Sequence, residues 1–210
     1  MKRGLFITFE GIDGAGKSTQ LAWAEGHLRK LGVAPVLTRE PGGTAFGEKV
    51  RELLLASKEK IHADTEALLV FAARREHIEQ VIEPALQRGD CVLCDRFTDA
   101  TFAYQGGGSG VDAGKLAMLE KWVQGSLQPD LSVLFDVSAE IGQSRVAKIK
   151  SPDRFEREGA AFFTRVRDAY LDRVRAAPER FVRIDGTQSV ERVQAQLGEI
   201  LDARIATWRR

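Results

Sequence analysis

The chemistry in this chain is concentrated in four short strings. The first is Gly11-Ile12-Asp13-Gly14-Ala15-Gly16-Lys17-Ser18, directly after the apolar run Leu5-Phe6-Ile7-Thr8-Phe9. Glycines at this spacing let successive backbone N–H groups face one anion, and a helix beginning at Lys17 turns the positive end of its dipole towards it. Lys17 then reaches the β and γ oxygens of a nucleoside triphosphate, with Ser18 as a Mg²⁺ ligand. A glycine-rich strand-to-helix turn without a ligand is the competing reading. The Lys-Ser pair in register behind the last glycine argues against it.

The second string is Thr38-Arg39-Glu40-Pro41-Gly42-Gly43-Thr44. Proline and two glycines account for a turn by themselves, and Arg39 with Glu40 reads equally well as a surface pair. The third is Asp95-Arg96-Phe97, in which a carboxylate at a strand end can hold a metal's water shell and an arginine can clamp a second phosphate. Two phosphate-handling sites on one sheet imply transfer between them. The fourth is the basic stretch from Arg145 to Arg157, broken by Pro152. It reads either as a solvated linker or as a lid that closes, expels water and neutralises a phosphoryl-transfer transition state. Gly14 brings no cation to the phosphate loop, so the lid reading is preferred: the missing charge must come from elsewhere.

Positioning these strings requires strand ends. Short apolar runs alternate with helical periodicity throughout, the pattern of a parallel sheet wrapped by helices on both faces. Strands are expected at Leu5–Phe9, Val36–Thr38, Cys91–Cys94, Leu131–Asp136 and Phe181–Ile184. Helices are expected at Lys17–Leu31, Thr44–Ala56, Thr65–Arg88, Asp112–Gln124, Ala139–Lys148, Glu156–Ala176 and Val190–Ile205, with Gly32 and Gly89 closing the first and third. Neither a repeat nor a linker divides the 210 residues, so one domain is expected. In such sheets ligands bind beyond the carboxyl ends of the strands, where each polar string falls.

The 31 basic and 30 acidic side chains nearly cancel, which excludes the electrostatic footprint of a nucleic-acid or anionic-membrane binder. No apolar run approaches the roughly 20 residues that a bilayer requires. The chain enters a strand within a few residues of Met1 and contains no asparagine to be glycosylated, so a cytoplasmic enzyme is expected. Cys91 and Cys94 form a C-x-x-C pair, yet strand alternation sends positions three apart to opposite faces. They are expected to be buried small hydrophobes. His27, His62 and His77 have no ligand spacing and are expected to be surface or helix-packing residues.

Three segments together resemble the thymidylate kinases: Phe9 to Thr19, Thr38 to Thr44, and Asp95-Arg96-Phe97-Thr98-Asp99-Ala100-Thr101-Phe102-Ala103-Tyr104-Gln105-Gly106. The phosphate loop is widely shared among proteins, but the second and third segments are specific to this family. The resemblance implies a P-loop nucleoside monophosphate kinase-like fold and transfer of the γ-phosphoryl group of ATP to dTMP, with Mg²⁺ and in a homodimer. By similarity, Gly11, Ile12, Asp13, Gly14, Ala15, Gly16, Lys17, Ser18 and Thr19 serve ATP, and Arg145 lies against adenine. Asp13 meets the sugar 3′-hydroxyl, Arg39 and Arg96 bracket the acceptor phosphate with Pro41 in the same site, and Glu40 and Asp95 lie close to the metal, which Ser18 and Asp95 ligate.

The same resemblance assigns the base to Arg74, Thr101 and Gln105, and gives Tyr104 the task of crowding the position of a ribonucleotide's 2′-hydroxyl. In many relatives a ring-stacking Phe stands four residues before the base-binding Arg. Here Val70 holds that place and Phe71 stands next to it, so Phe71 is expected to reach the base from a rotated helix, or Arg75 takes the role of Arg74. Members with an arginine in the phosphate loop need less from the lid, whereas this chain resembles the bacterial type with lid-borne arginines. Arg145, Lys148 and Arg154 are the candidates, and Arg154 is expected to be the closing catalytic cation beside Lys17, Arg96, Asp95 and Glu40. A kinase for UMP, CMP or a deoxynucleoside would share the loop and lid but would not need the second segment. A GTPase would read guanine with an Asn-containing motif, and a non-catalytic ATP-binding module would not need Arg96 or a basic lid.

Overall fold

The computed structural model describes residues 3–57, 59–147, 154–155 and 158–210. Among these residues, five strands form one sheet: β1 (Phe6–Glu10), β2 (Val36–Arg39), β3 (Val92–Asp95), β4 (Leu131–Asp136) and β5 (Phe181–Asp185). Their order is β2-β3-β1-β4-β5, and every pairing is parallel. The interior strands read as near-continuous apolar runs because helices cover both faces of such a sheet, and all of β1 and β4 is buried. Alternate residues of β1 and β3 supply two separate cores: Ile7, Phe9, Cys91 and Leu93 on one side, Phe6, Val92 and Cys94 on the other. The two cysteines are therefore free, buried and on opposite faces.

Helices α1 (Lys17–Lys30) and α9 (Val190–Arg209) pack together, and Ala24, Leu28, Leu197 and Leu201 bury in the larger core. Helix α2 (Ala45–Ala56) is capped by Thr44, whose hydroxyl accepts the Gly47 N–H at 2.9 Å. The long helix expected at 65–88 is a composite: α3 (Ala63–His77), a π-helical turn over Ile78–Ile82, and α4 (Glu83–Gln87). Pro84 explains the wider turn, because it has no N–H to return to the preceding turn and its ring crowds the carbonyl there.

A helical segment that periodicity does not signal follows β3. It consists of α5 (Thr98–Thr101) and a π-helical run Phe102–Gly108. Its glycines argue against a helix locally, but they are what tertiary packing needs. A Cβ at Gly107 would stand 2.5 Å from that of Ala169, and one at Gly108 would stand 2.6 Å from the Phe162 ring. Helices α6 (Ala113–Gln124), α7 (Ala139–Val146) and α8 (Ala160–Ala176) complete the fold. The expected lid, 145–157, includes residues 148–153, 156 and 157, which lie outside the described set; α8 begins at Ala160, after Gly159.

Candidate active site

The parallel register brings the carboxyl ends of three strands level. Asp95 pairs with both Phe9 and Arg39, so the loop after β1, the turn after β2 and the Asp-Arg-Phe string after β3 converge. Gly14 and Gly16 adopt left-handed conformations (φ 78° and 94°), and α1 opens with neither a side-chain cap nor an acidic residue in its first turn. Its terminal N–H groups and dipole therefore face an anion without competition. Lys17 is buried with Nζ 3.1 Å from the Gly11 carbonyl and 3.0 Å from that of Ile12. Burial and the nearby Arg96 charge lower its pKa to about 8. Ser18 and Thr19 are exposed at the start of α1.

Against this loop lies a cleft that opens to solvent. Asp13, Glu40, Pro41, Arg74, Arg96, Thr101, Tyr104 and Gln105 all line it, so the structure brings most of the expected acceptor residues together. Arg96 is the hub. It adopts a left-handed backbone (φ 70°), a conformation that costs energy for a non-glycine residue and persists where surroundings over-determine it. Nη2 donates to Asp13 Oδ1 at 2.7 Å and to the Tyr104 hydroxyl at 3.0 Å, while Nη1 donates to the Gly11 carbonyl at 2.8 Å. The Tyr104 hydroxyl donates in turn to Asp13 Oδ2 at 2.9 Å. Burial would raise the Asp13 carboxyl, but Arg96 and Lys17 together hold it down at about 2. Behind them Glu10 accepts the Phe97 N–H at 2.9 Å and the Tyr170 hydroxyl at 3.2 Å, and burial with the Asp99 charge raises its pKa to about 8.

The far end of the cleft is built on α3. Arg74 is 1% exposed and donates to Glu40 Oε2 at 2.7 Å and to Thr101 Oγ1 at 2.8 Å. Its guanidinium lies between the rings of Phe71 and Phe97, 4.7 and 5.0 Å from their centroids. Phe71, which the sequence reading directs to the base, packs in a satellite core with Ala67, Val111 and Leu116 and is not among the residues that line the cleft. One residue is 100° of helix rotation, and on this face Val70 reaches the cleft instead, opposite Phe97. Arg75 is exposed and paired with Glu79.

Arg39 does not line the cleft either. It is exposed and donates to Glu48 at 2.8 Å. In its place stands Arg51 of α2, which the sequence reading missed; it donates to the Pro41 carbonyl at 3.0 Å and lines the cleft. Burial, Arg39 and Arg96 push the Arg51 pKa below its ordinary value, against the opposing pull of Glu48 and Asp95. The lid candidates separate. Arg145 donates to the Gly14 carbonyl at 3.3 Å and to Gly186 at 3.0 Å, so it does reach the phosphate loop. Lys148 lies outside the described residues. Arg154 is turned away from the loop: it is ion-paired with buried Glu66, donates to the Leu54 carbonyl at 3.1 Å and faces a neighbouring cleft. A buried carboxylate needs a counter-charge, and Glu66 takes Arg154 as its partner. Phe155 walls both clefts, 4.3 Å beneath the Arg154 guanidinium.

The donor set suits Mg²⁺. Asp95 Oδ1 is buried with no hydrogen-bond partner among the described residues, and the Ser18 hydroxyl stands at the loop's exit. No cluster of three His, Cys, Asp or Glu side chains suited to a metal occurs among them. A site of one carboxylate and one hydroxyl, completed by water and substrate phosphates, is the kind Mg²⁺ takes.

Comparison with known proteins agrees with this geometry. A family model described as thymidylate kinase matches residues 9–197. A thymidylate kinase of Cupriavidus metallidurans is 58% identical over 199 residues, covering 95% of this chain and 98% of its own. One of Burkholderia cenocepacia is 56% identical over 207 residues, covering 97% and 100%. Among solved structures, the crystal structure of thymidylate kinase from Ehrlichia chaffeensis superimposes with a TM-score of 0.78 at 34% identity, covering 95% of this chain and 99% of that one.

Proposed function

The chain belongs to the thymidylate kinase family and phosphorylates dTMP with ATP, and we propose that it does so with the following division of labour. ATP lies on the phosphate loop, Gly11 to Thr19, with its phosphates on the loop amides and Lys17 and its adenine beside Arg145. dTMP occupies the cleft lined by Asp13, Arg74, Arg96 and Thr101. Asp13 accepts the sugar 3′-hydroxyl, and Arg51 and Arg96 hold the acceptor phosphate, with Glu40 and Asp95 alongside. Val70, Pro41 and Phe97 flank the ring, and Arg74, Thr101 and Gln105 meet its edge. The Tyr104 hydroxyl, already bonded to Asp13 and Arg96, fills the space that a 2′-hydroxyl would take.

One observation carries this reading: Asp13 belongs to the phosphate loop and yet lines the second cleft, paired there with Arg96. The loop is a shared wall, so donor and acceptor meet across it and direct in-line transfer needs no covalent intermediate. Because such transfer is mostly positioning and charge neutralisation, Lys17 and Arg96 supply the catalysis, Arg96 already held by its partners and Lys17 resting on loop carbonyls that a phosphate replaces. Mg²⁺ on Ser18 and Asp95 would add charge neutralisation at the β and γ oxygens. Arg154 acts on the acceptor side by holding Phe155 at the cleft.

We also read the chain as one domain that works as a homodimer in the cytoplasm. Two reduced, buried cysteines suit that compartment, and among the described residues no helix is long and apolar enough to cross a membrane. Helices α2, α3 and α6 lie side by side and expose Leu53, Leu68 (55%), Met118 and Trp122 (82%), an apolar surface suited to a partner copy. The functional test is ADP release measured with dTMP, dUMP, UMP, CMP and no acceptor. Turnover is expected to be highest with dTMP; turnover without an acceptor, or a preference for UMP or CMP, would overturn the assignment.

A further inference from the structure

His77 ends α3 at 0% exposure, and neither its sequence context nor the transfer chemistry gives it a task. It stands three residues after Arg74, on the same helix face. Both grip one carboxylate: Arg74 Nε lies 2.7 Å from Glu40 Oε2, and His77 Nδ1 lies 2.9 Å from Glu40 Oε1. A carboxylate can only accept, so Nδ1 carries the hydrogen, and Nε2 meets Thr38 Oγ1 at 2.5 Å. His77 thus bridges the end of β2 to the turn that follows it. The turn wraps it closely, since a Cβ at Gly43 would stand 2.5 Å from Nε2.

We propose that His77 is a positioning residue of the acceptor cleft, which fixes Arg74 by locking the rotamer of Glu40. Glu40 is buried and lines the cleft with Pro41, so its orientation sets both the turn and the guanidinium that passes to Thr101. With two donors, one on each oxygen, the carboxylate has one orientation. With Arg74 alone it can rotate about that single bond, and Arg74 loses its fixed edge. The proposal rests on the cleft being the dTMP site.

The test uses two substitutions that split the two ring nitrogens. His77→Asn places an amide nitrogen near Nδ1, keeps the donor to Glu40 and drops the Thr38 contact. His77→Gln reaches the Nε2 position, keeps Thr38 and drops Glu40. The expected result is that His77→Gln raises the KM for dTMP about tenfold, the effect of losing one hydrogen bond to a charged group. His77→Asn stays within about threefold of the parent. The KM for ATP should move in neither variant. Equal effects of the two substitutions on the KM for dTMP would overturn the proposal. Should His77→Gln fail to fold, His77→Asn and Thr38→Val carry the test: both keep the Glu40 donor, and a tenfold rise in the KM for dTMP in either overturns it. Failure of the underlying reading looks different, because the parent enzyme itself would then show no turnover of dTMP.

Discussion

The acceptor cleft and the phosphate loop share Asp13 but are finished in different ways. In the cleft, Arg74 meets Glu40 and Thr101 and Arg96 meets Asp13 and Tyr104, while Arg51 at its wall rests on the Pro41 carbonyl. On the loop, Lys17 leans on two neutral carbonyls, and at the neighbouring end of β3 the buried Asp95 Oδ1 has no hydrogen-bond partner among the described residues. A phosphate brings a full opposite charge that the two carbonyls lack, so it competes for Lys17, whereas dTMP meets ion pairs that already exist in the cleft. The acceptor side is preorganised by folding; the donor side is left to rearrange around its ligand.

The sharpest way to break that contrast is Lys17→Ala. If the halves are separable, kcat falls about 10²–10³-fold, the usual effect of deleting one transition-state charge contact, while calorimetric affinity for dTMP changes less than about twofold. A parallel loss of dTMP affinity would show that they form one unit. Next comes Arg154→Ala. Removing one member of a buried ion pair costs about 3–5 kcal/mol, roughly 6–20 °C in Tm for a chain of this size. The KM for dTMP should rise as Phe155 loosens, with kcat within about threefold. A collapse of kcat at unchanged Tm would return Arg154 to the phosphate side.

The smallest effect is a linked proton. Lys17 is partly neutral above pH 8, and triphosphate charge raises its pKa, so ATP binding at pH 8.5 should take up a fraction of a proton. At pH 6.5 Lys17 is already charged and contributes no uptake. Calorimetry in buffers of different ionisation enthalpy checks both values. Proton release at pH 8.5 would mean that another group dominates the loop.

Much of this architecture is legible in the residues alone, because local and tertiary demands coincide there. Buried parallel strands must be apolar runs, and the phosphate loop needs glycines at positions that the fold also needs. Legibility fails where a distant partner decides. Arg154 looks like any lid cation until Glu66, 88 positions away, claims it. Arg51 borders the buried stripe of α2 beside Leu54 and Leu55, and helical periodicity cannot separate a cleft cation from a solvated one. Phe71 and Val70 differ by a single step along the helix, and which of them meets the cleft depends on the axial rotation of α3. The segment at 98–108 looks too rich in glycine for a helix until α8 packs against it.

The close approach of α7 to the phosphate loop bears on how the two ways of placing catalytic charge can interconvert. A Cβ at Gly14 would lie 2.2 Å from the Gly142 carbonyl oxygen, and one at Gly142 would lie 2.6 Å from that of Asp13. An arginine cannot enter position 14 until α7 retreats, and α7 carries Arg145, which donates to Gly14 itself. Mutations towards a loop-borne arginine are thus epistatic on the helix: the gain of one cation requires prior loss of the other's footing. A cation at position 14 and the Arg145–Gly14 contact are alternatives, so a lineage that gains the first gives up the second.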